Sequence, residues 1–281
     1  MKLQHIAAAV ALATAGVAHA SLDDFYTGNS SVSFIAIDNV GSTVGSVFID
    51  LGVSLNDFDP ILGSNLSAEN NKVVWNFNAN TITVNGVAKA ATNDFSAFSS
   101  FVAGTDDATK WGVIAGDSAS GFQRMLTTGT PTLSNLSLQN GSLTANMGLS
   151  NATYLNSGVS ASVDNGSYYA SSSTDPNYVA GTTNFGTNWE NQLKWQSLTT
   201  NTQNNFWMNV GDGSEKQVGL TTTAGADTTG LLKGNGTFTF DKAAGTLTWA
   251  TAAPVPEPES YALALVGLAA AGFVARRRSA K

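Results

Sequence analysis

"GTFTFDKAAGTLTWA", residues 236–250, alternates apolar and hydroxyl side chains on either side of a short polar break. Phe238, Phe240, Leu247 and Trp249 fall on one face, and Thr237, Thr239, Thr246 and Thr248 on the other. That period of two belongs to a half-buried strand, because successive strand side chains point to opposite faces. Asp241 to Ala244 is short enough to reverse the chain, so the pattern predicts a hairpin with one dry face and one wet face.

The same grammar runs outward from this hairpin. "VSFIAID" (Val32–Asp38) and "SVFIDLG" (Ser46–Gly52) read as strands across a turn-rich link. "KVVWNF" (Lys72–Phe77) and "TITVNG" (Thr81–Gly86) flank Asn78-Ala79-Asn80, a second hairpin signal. Further strands are expected at Trp111–Ala115, Leu133–Leu138, Leu143–Leu149, Tyr168–Ser171, Phe206–Val210 and Gln217–Thr222. Only Asp94–Val102 and Trp189–Trp195 suggest helices. Many short strands punctuated by Gly and Asn predict an all-β fold, a β-sandwich or jelly-roll-like domain with few short helices. No fixed-period repeat is present, which argues against a β-helix or propeller.

Composition supports this. Charged residues make up only 12% of the 281, and Gly alone counts 28, a mix that suits strands and turns better than surface helices. There is no Cys, and the two His residues, His5 and His19, both lie in the first twenty positions. Removal of that segment leaves a chain with neither the usual neutral-pH base nor the commonest transition-metal ligands. Residues 21–255 hold 18 of the 20 acids and 8 of the 13 bases, a net charge near −10. So acidic a body argues against nucleic acid and anionic lipid surfaces as partners.

The two ends read differently from the body. In "MKLQHIAAAVALATAGVAHA" Lys2 supplies a positive start, Ile6 to Val17 an apolar core, and Ala18-His19-Ala20 a small-residue cleavage site. This is a secretory signal peptide, with the mature chain starting at Ser21. The expected organisation is therefore signal peptide 1–20, β-rich extracytoplasmic domain 21–253 and tail 254–281. In the tail, Tyr261 to Ala275 is uncharged. As a helix at ~1.5 Å per residue it is about 22 Å long, short of the roughly 30 Å hydrocarbon core. Ser260 and the snorkelling stems of Arg276, Arg277 and Arg278 close most of the gap. The arginines mark the cytoplasmic side and leave the body outside, where the signal peptide sends it. A single C-terminal membrane helix is therefore expected.

Pro256 and Pro258 fix their own φ and hold Val255 and Glu257 out of the α region. Glu257 is thus displayed on an extended peptide just before the apolar segment. Val255-Pro256-Glu257-Pro258, a short apolar helix and Arg276-Arg277-Arg278 together resemble the PEP-CTERM sorting signal of Gram-negative bacteria. The resemblance covers about 27 residues and implies recognition by a membrane enzyme, exosortase. That enzyme would cut near Pro-Glu-Pro and pass the protein to the cell surface or an exopolysaccharide matrix. The resemblance carries no activity for the body.

Within the body, residue types that support chemistry are sparse. Gly116-Asp117-Ser118 resembles a nucleophilic serine motif, but no mature His would activate the serine, and a turn after the strand WGVIA is the expected reading. A glycosidase needs two carboxylates about 5–10 Å apart, and Glu69, Glu190 and Glu215 are the only glutamates of the body. Trp189 and Trp195 beside Glu190 have the aromatic character of a glycan site, but the favoured reading is a small amphipathic helix docking its tryptophans in a core. Asp57, Asp59, Asp106, Asp107 and Asp212 are candidate calcium ligands, although none belongs to a full calcium loop. Thr-x-Thr recurs at Thr81/Thr83, Thr237/Thr239 and Thr246/Thr248, as on an ordinary wet strand face. Seven Asn-x-Ser/Thr sequons, Asn140 and Asn165 among them, follow from an Asn/Ser/Thr-rich chain. The reading is of a non-enzymatic surface or matrix protein without cofactor. Its alternatives are a polysaccharide-binding module, with or without calcium, and a carboxylate-based glycan hydrolase.

Overall fold

The structure, a computed structural model, describes residues 29–40, 43–58, 71–103, 109–117, 124–128, 166–175, 178, 200, 202–210 and 231–251. The chain divides into two units, residues 1–251 and 252–281, and every described residue lies in the first. The elements are β1 (Ser31–Val40), β2 (Thr43–Ser54), α1 (Leu55–Phe58), β3 (Lys72–Asn76), β4 (Thr81–Val84), β5 (Val87–Ala90), α2 (Ala97–Ala103), β6 (Lys110–Asp117), β7 (Arg124–Thr128), β8 (Ser167–Ala170), β9 (Gln203–Val210), β10 (Leu231–Asp241) and β11 (Thr246–Thr251).

The hairpin at residues 236–250 forms as the alternation requires. Phe238 faces Trp249 and Phe240 faces Leu247 across the β10–β11 pair, and all four are buried. Thr239 faces Thr248 on the outer side. Full burial of such side chains contributes about 1.5–3 kcal/mol each, so this pair alone brings a large share of apolar surface to one face.

All eleven strands belong to one sheet, in the order β5-β4-β3-β11-β10-β9-β7-β6-β1-β2-β8, with every neighbouring pair antiparallel. A flat sheet of that width would leave its apolar face in water. It curls instead until the two halves of that face meet. Phe34 of β1 lies 5.1 Å from Phe77, which follows β3, and 4.9 Å from Phe240 of β10. Trp111 of β6 lies 5.5 Å from Phe240. The indole nitrogen of Trp75 in β3 donates to the carbonyl of Leu51 in β2 at 2.8 Å. The result is layered like a sandwich, but both layers are parts of one continuous sheet. The all-β expectation holds.

The two short helices fill the space between the layers. Phe98 and Phe101, three apart on α2, share one face and are fully buried. Phe98 packs edge-on against Phe240 at 6.1 Å, and Phe101 against Tyr169 at 6.3 Å. Phe58 of α1 lies 5.4 Å from both Phe206 and Trp249.

The expected strands at Val32–Asp38, Ser46–Gly52, Lys72–Phe77, Thr81–Gly86, Trp111–Ala115, Tyr168–Ser171 and Phe206–Val210 correspond to β1, β2, β3, β4, β6, β8 and β9, and the expected helix at Asp94–Val102 to α2. Three elements have no sequence expectation: α1, β5 and β7. Gly116-Asp117 is not a turn; β6 continues through it, with Gly116 opposite Met125 and Asp117 opposite Arg124. Thr251 is the last residue of β11. The expected strands at Leu133–Leu138, Leu143–Leu149 and Gln217–Thr222, and the expected helix at Trp189–Trp195, lie outside the described residues.

Candidate functional site

A cleft of about 650 Å³ opens beside the β10–β11 turn, lined by Thr109, Trp111, Thr202, Phe240, Asp241 and Lys242 among others. Its floor is aromatic because Trp111 and Phe240 belong to the core, and both are buried. Its rim is hydroxyl-rich: Thr200, Thr202, Thr239 and Thr109 all contribute to the lining. The backbone N–H of Phe240 donates to the carbonyl of Thr202 at 2.9 Å, which keeps the chain entering β9 against β10.

Both charged groups of the cleft have structural contacts. The Lys242 ammonium donates to Thr109 Oγ1 at 2.9 Å and stands 5.8 Å from the centre of the Phe101 ring. Asp241 accepts from the N–H of Ala244 at 2.9 Å, a hydrogen bond that closes the β10–β11 turn. No second acid lines the cleft among the described residues. The arrangement offers hydroxyl donors and acceptors over an apolar floor, which suits a neutral polar ligand.

Of the calcium candidates, Asp57 is in α1. Its Oδ2 accepts from Ser54 N at 2.8 Å and from Ser54 Oγ at 3.0 Å, so the acid at the third helical position reaches back to the residue that precedes the helix. Asp59, Asp106, Asp107 and Asp212 lie outside the described residues, as do Trp189, Trp195 and Glu190. Among the described residues no group of three or more His, Cys, Asp or Glu side chains gathers in a metal-binding arrangement. Trp75, Trp111 and Trp249 are core residues, which removes them as stacking platforms for a sugar ring. The Thr-x-Thr pairs converge on the outer sheet face, where Thr83, Val74, Thr248 and Thr239 follow one another across four adjacent strands.

Two buried carboxylates were not singled out by the sequence patterns, although each follows an isoleucine at the end of a strand run. Asp38 is wholly buried and Asp50 nearly so. Asp50 Oδ1 accepts from the N–H of Gly52 at 2.8 Å, and its Oδ2 from the Ser31 hydroxyl at 3.1 Å. These bonds hold the bulge where β2 carries extra residues opposite Ser31–Ser33. The Asn93 amide donates to the Asp50 carbonyl at 3.2 Å. Near Asp38, the Tyr178 hydroxyl lies 3.5 Å from the Asp38 carbonyl oxygen, and Tyr178 is buried. Burial first, and the Asp38 charge second, push the Tyr178 phenol above its ordinary range.

A clasp holds the last described residue of β11. Thr251 N–H donates to the Asn71 carbonyl at 2.9 Å, and Asn71 N–H donates to Thr251 Oγ1 at 2.8 Å. The Asn71 side chain is held in turn by Asn85 Nδ2 at 3.1 Å, and Lys72 N–H donates to Asn85 Oδ1 at 2.8 Å. On the other side Thr251 stands opposite Gly236 of β10. β11, the last strand among the described residues, is thus an interior strand held on both edges as far as Thr251.

Ala18, Ala20 and Ser21 lie outside the described residues, as do Val255, Pro256, Glu257, Pro258, the segment Tyr261–Ala275 and Arg276, Arg277 and Arg278. Among the described residues no helix is long and apolar enough to cross a membrane. The comparison with protein families matches residues 254–278 to the PEP-CTERM protein-sorting motif. No curated protein and no solved structure shows significant similarity to the chain.

Proposed function

We propose, from the premise that the chain carries a PEP-CTERM sorting signal at residues 254–278, that it is a non-enzymatic protein of the cell surface or extracellular matrix of a Gram-negative bacterium. The signal implies processing by exosortase, a membrane enzyme, and transit through a membrane-anchored stage. In this reading the signal peptide 1–20 starts export and Tyr261–Ala275 holds the protein in the inner membrane with its body outside. Arg276–Arg278 fix the orientation. Exosortase then reads Val255-Pro256-Glu257-Pro258 and releases the body. The motif match carries the proposal. The lack of His and Cys after position 20 supports a body without catalysis or cofactor. Replacing Pro256, Glu257 and Pro258 together by Ala tests it. The expected product keeps its tail and accumulates in the membrane fraction, whereas unaltered size and location would contradict the reading.

A second reading gives the body a polysaccharide partner within the matrix. Its support is the cleft beside Lys242, where threonine hydroxyls surround an apolar floor, and the negative body, which favours a neutral glycan over an anionic one. A glycan array of the purified body, with and without chelator, tests this and any calcium requirement together. Binding lost on Thr202→Val would support the cleft, and an array blank under both conditions would remove the reading.

A further inference from the structure

The β4–β5 hairpin turns on Asn85-Gly86, with φ at 50° and 88°. Both residues are exposed, and a Cβ built on Gly86 would meet no atom within 4 Å. The Asn85 side chain is nonetheless held. Its Oδ1 accepts from Lys72 N–H at 2.8 Å, and its Nδ2 donates to Asn71 Oδ1 at 3.1 Å. Its own backbone N–H donates to the Lys72 carbonyl at 2.8 Å. Asn71 is also the residue whose backbone clasps Thr251. One latch therefore joins the turn to the start of β3 and the end of β11.

An asparagine before a glycine carries its own reaction. The next backbone nitrogen can close a ring onto the side-chain carbonyl carbon, and glycine has no side chain to shield that nitrogen. The Gly86 nitrogen gives its proton to hydroxide and attacks Asn85 Cγ. The Cγ–Nδ2 bond breaks, and the amide leaves as ammonia with a proton from water. A second water then opens the cyclic imide at either carbonyl. One opening leaves aspartate at 85. The other leaves isoaspartate, in which the chain continues through the former side chain. The latch opposes ring closure, because both polar atoms of the Asn85 side chain must leave their partners before Cγ can turn toward Gly86. Asn235-Gly236 differs: Gly236 is buried in β10, and a Cβ there would meet Trp249 and the Ala250 carbonyl.

We propose that Asn85 is a site of slow, enzyme-free deamidation, gated by the Asn71–Asn85–Lys72 latch. Aspartate at 85 keeps an acceptor for Lys72 N–H but offers no donor to Asn71 Oδ1, so two acceptor oxygens face each other. Isoaspartate adds a carbon to the backbone inside a two-residue turn, and that turn sets the β4–β5 register. Among the described residues β5 is an edge strand that pairs with β4 alone. Loss of the register therefore releases Val87–Ala90 from the sheet. The modification records the age of the folded chain and loosens this edge as it proceeds.

The experiment ages the protein as recovered from its host, kept folded at mildly alkaline pH, and follows each Asn-Gly peptide by mass spectrometry. The Asn85 peptide should gain the mass of an amide-to-acid change and separate into aspartyl and isoaspartyl products. Asn71→Ala removes the acceptor for Nδ2 and should speed conversion about fivefold, the release that loss of one hydrogen bond allows. Gly86→Ala shields the attacking nitrogen and should suppress conversion. Asp50→Ala weakens the fold through β2 rather than through the latch and should leave the rate unchanged. Circular dichroism establishes that each variant is folded. In the converted protein, hydrogen exchange across Val87–Ala90 should be faster. The proposal is overturned if Asn85 keeps its amide in the folded protein long after the urea-unfolded chain has lost it. It is equally overturned if Asn71→Ala speeds conversion no more than Asp50→Ala does, or if exchange across β5 is the same before and after conversion.

Discussion

The indole nitrogen of Trp75 donates to the carbonyl oxygen of Leu51 at 2.8 Å, joining β3 and β2, which stand third and tenth in an eleven-strand order. The bond ties the two halves where they close over the core, and both residues are fully buried. Trp75→Phe would keep most of the apolar contact but leave the Leu51 carbonyl without this donor. A loss of about 2–4 kcal/mol is expected, combining the unsatisfied acceptor with the space left by the smaller ring. Urea unfolding measures it as a lowered midpoint with an unchanged slope.

Gly245 ends the β10–β11 turn at φ +64°, and its carbonyl accepts from Phe77 N–H at 2.9 Å. A Cβ at this position would collide with the Asn78 side chain. Gly245→Ala should therefore cost about 1–3 kcal/mol, from left-handed backbone strain together with the clash. The same substitution at Gly86 meets no atom within 4 Å and should cost only the backbone strain. Comparing the two melts separates the steric part from the conformational part.

Asp50 gives the β2 bulge two acceptor oxygens. Asp50→Ala removes the acceptor from both Gly52 N–H and the Ser31 hydroxyl, and about 2–4 kcal/mol of stability should go with it. Asp50→Asn keeps one acceptor oxygen and should retain part of that. Hydrogen exchange at the Gly52 amide reads the local effect directly, with faster exchange expected in Asp50→Ala.

Tyr178 sets an alkaline limit. Its phenol titrates above the ordinary value near 10 in the folded state, so the folded protein holds that proton more tightly than the unfolded chain does. The resulting stability is complete below about pH 10 and is lost as pH rises through the folded-state value. Tyr178→Phe should flatten the fall in melting temperature above pH 10. Ultraviolet titration of the folded protein should show a late-ionising phenol in the unsubstituted chain that is lost in the variant.

How much the sequence reveals depends on how local the signal is. The β10–β11 hairpin is legible because one face stays wet and the period of two survives intact. β5 carries no such alternation: Val87, Ala88 and Ala90 are exposed on an edge strand, although Asn85-Gly86, at φ 50° and 88°, is a strong two-residue hairpin signal. β7 hides for the opposite reason, since Leu126, Thr127 and Thr128 are all buried and the threonines read as a wet face. α1 is too short to show a period. The cleft draws on residues near positions 109, 202 and 241, and the clasp joins residues 180 apart in sequence. Neither leaves a local trace. The sorting signal is the reverse case: its tripeptide, apolar stretch and arginines are contiguous, so the sequence alone discloses it.

Mass spectrometry of the protein recovered from the cell surface tests the central claim most directly. Export followed by sorting predicts a chain that begins at Ser21 and ends near Pro256–Pro258, with the mass of Tyr261–Lys281 absent. A surface form that still carries Arg276–Lys281 would contradict it.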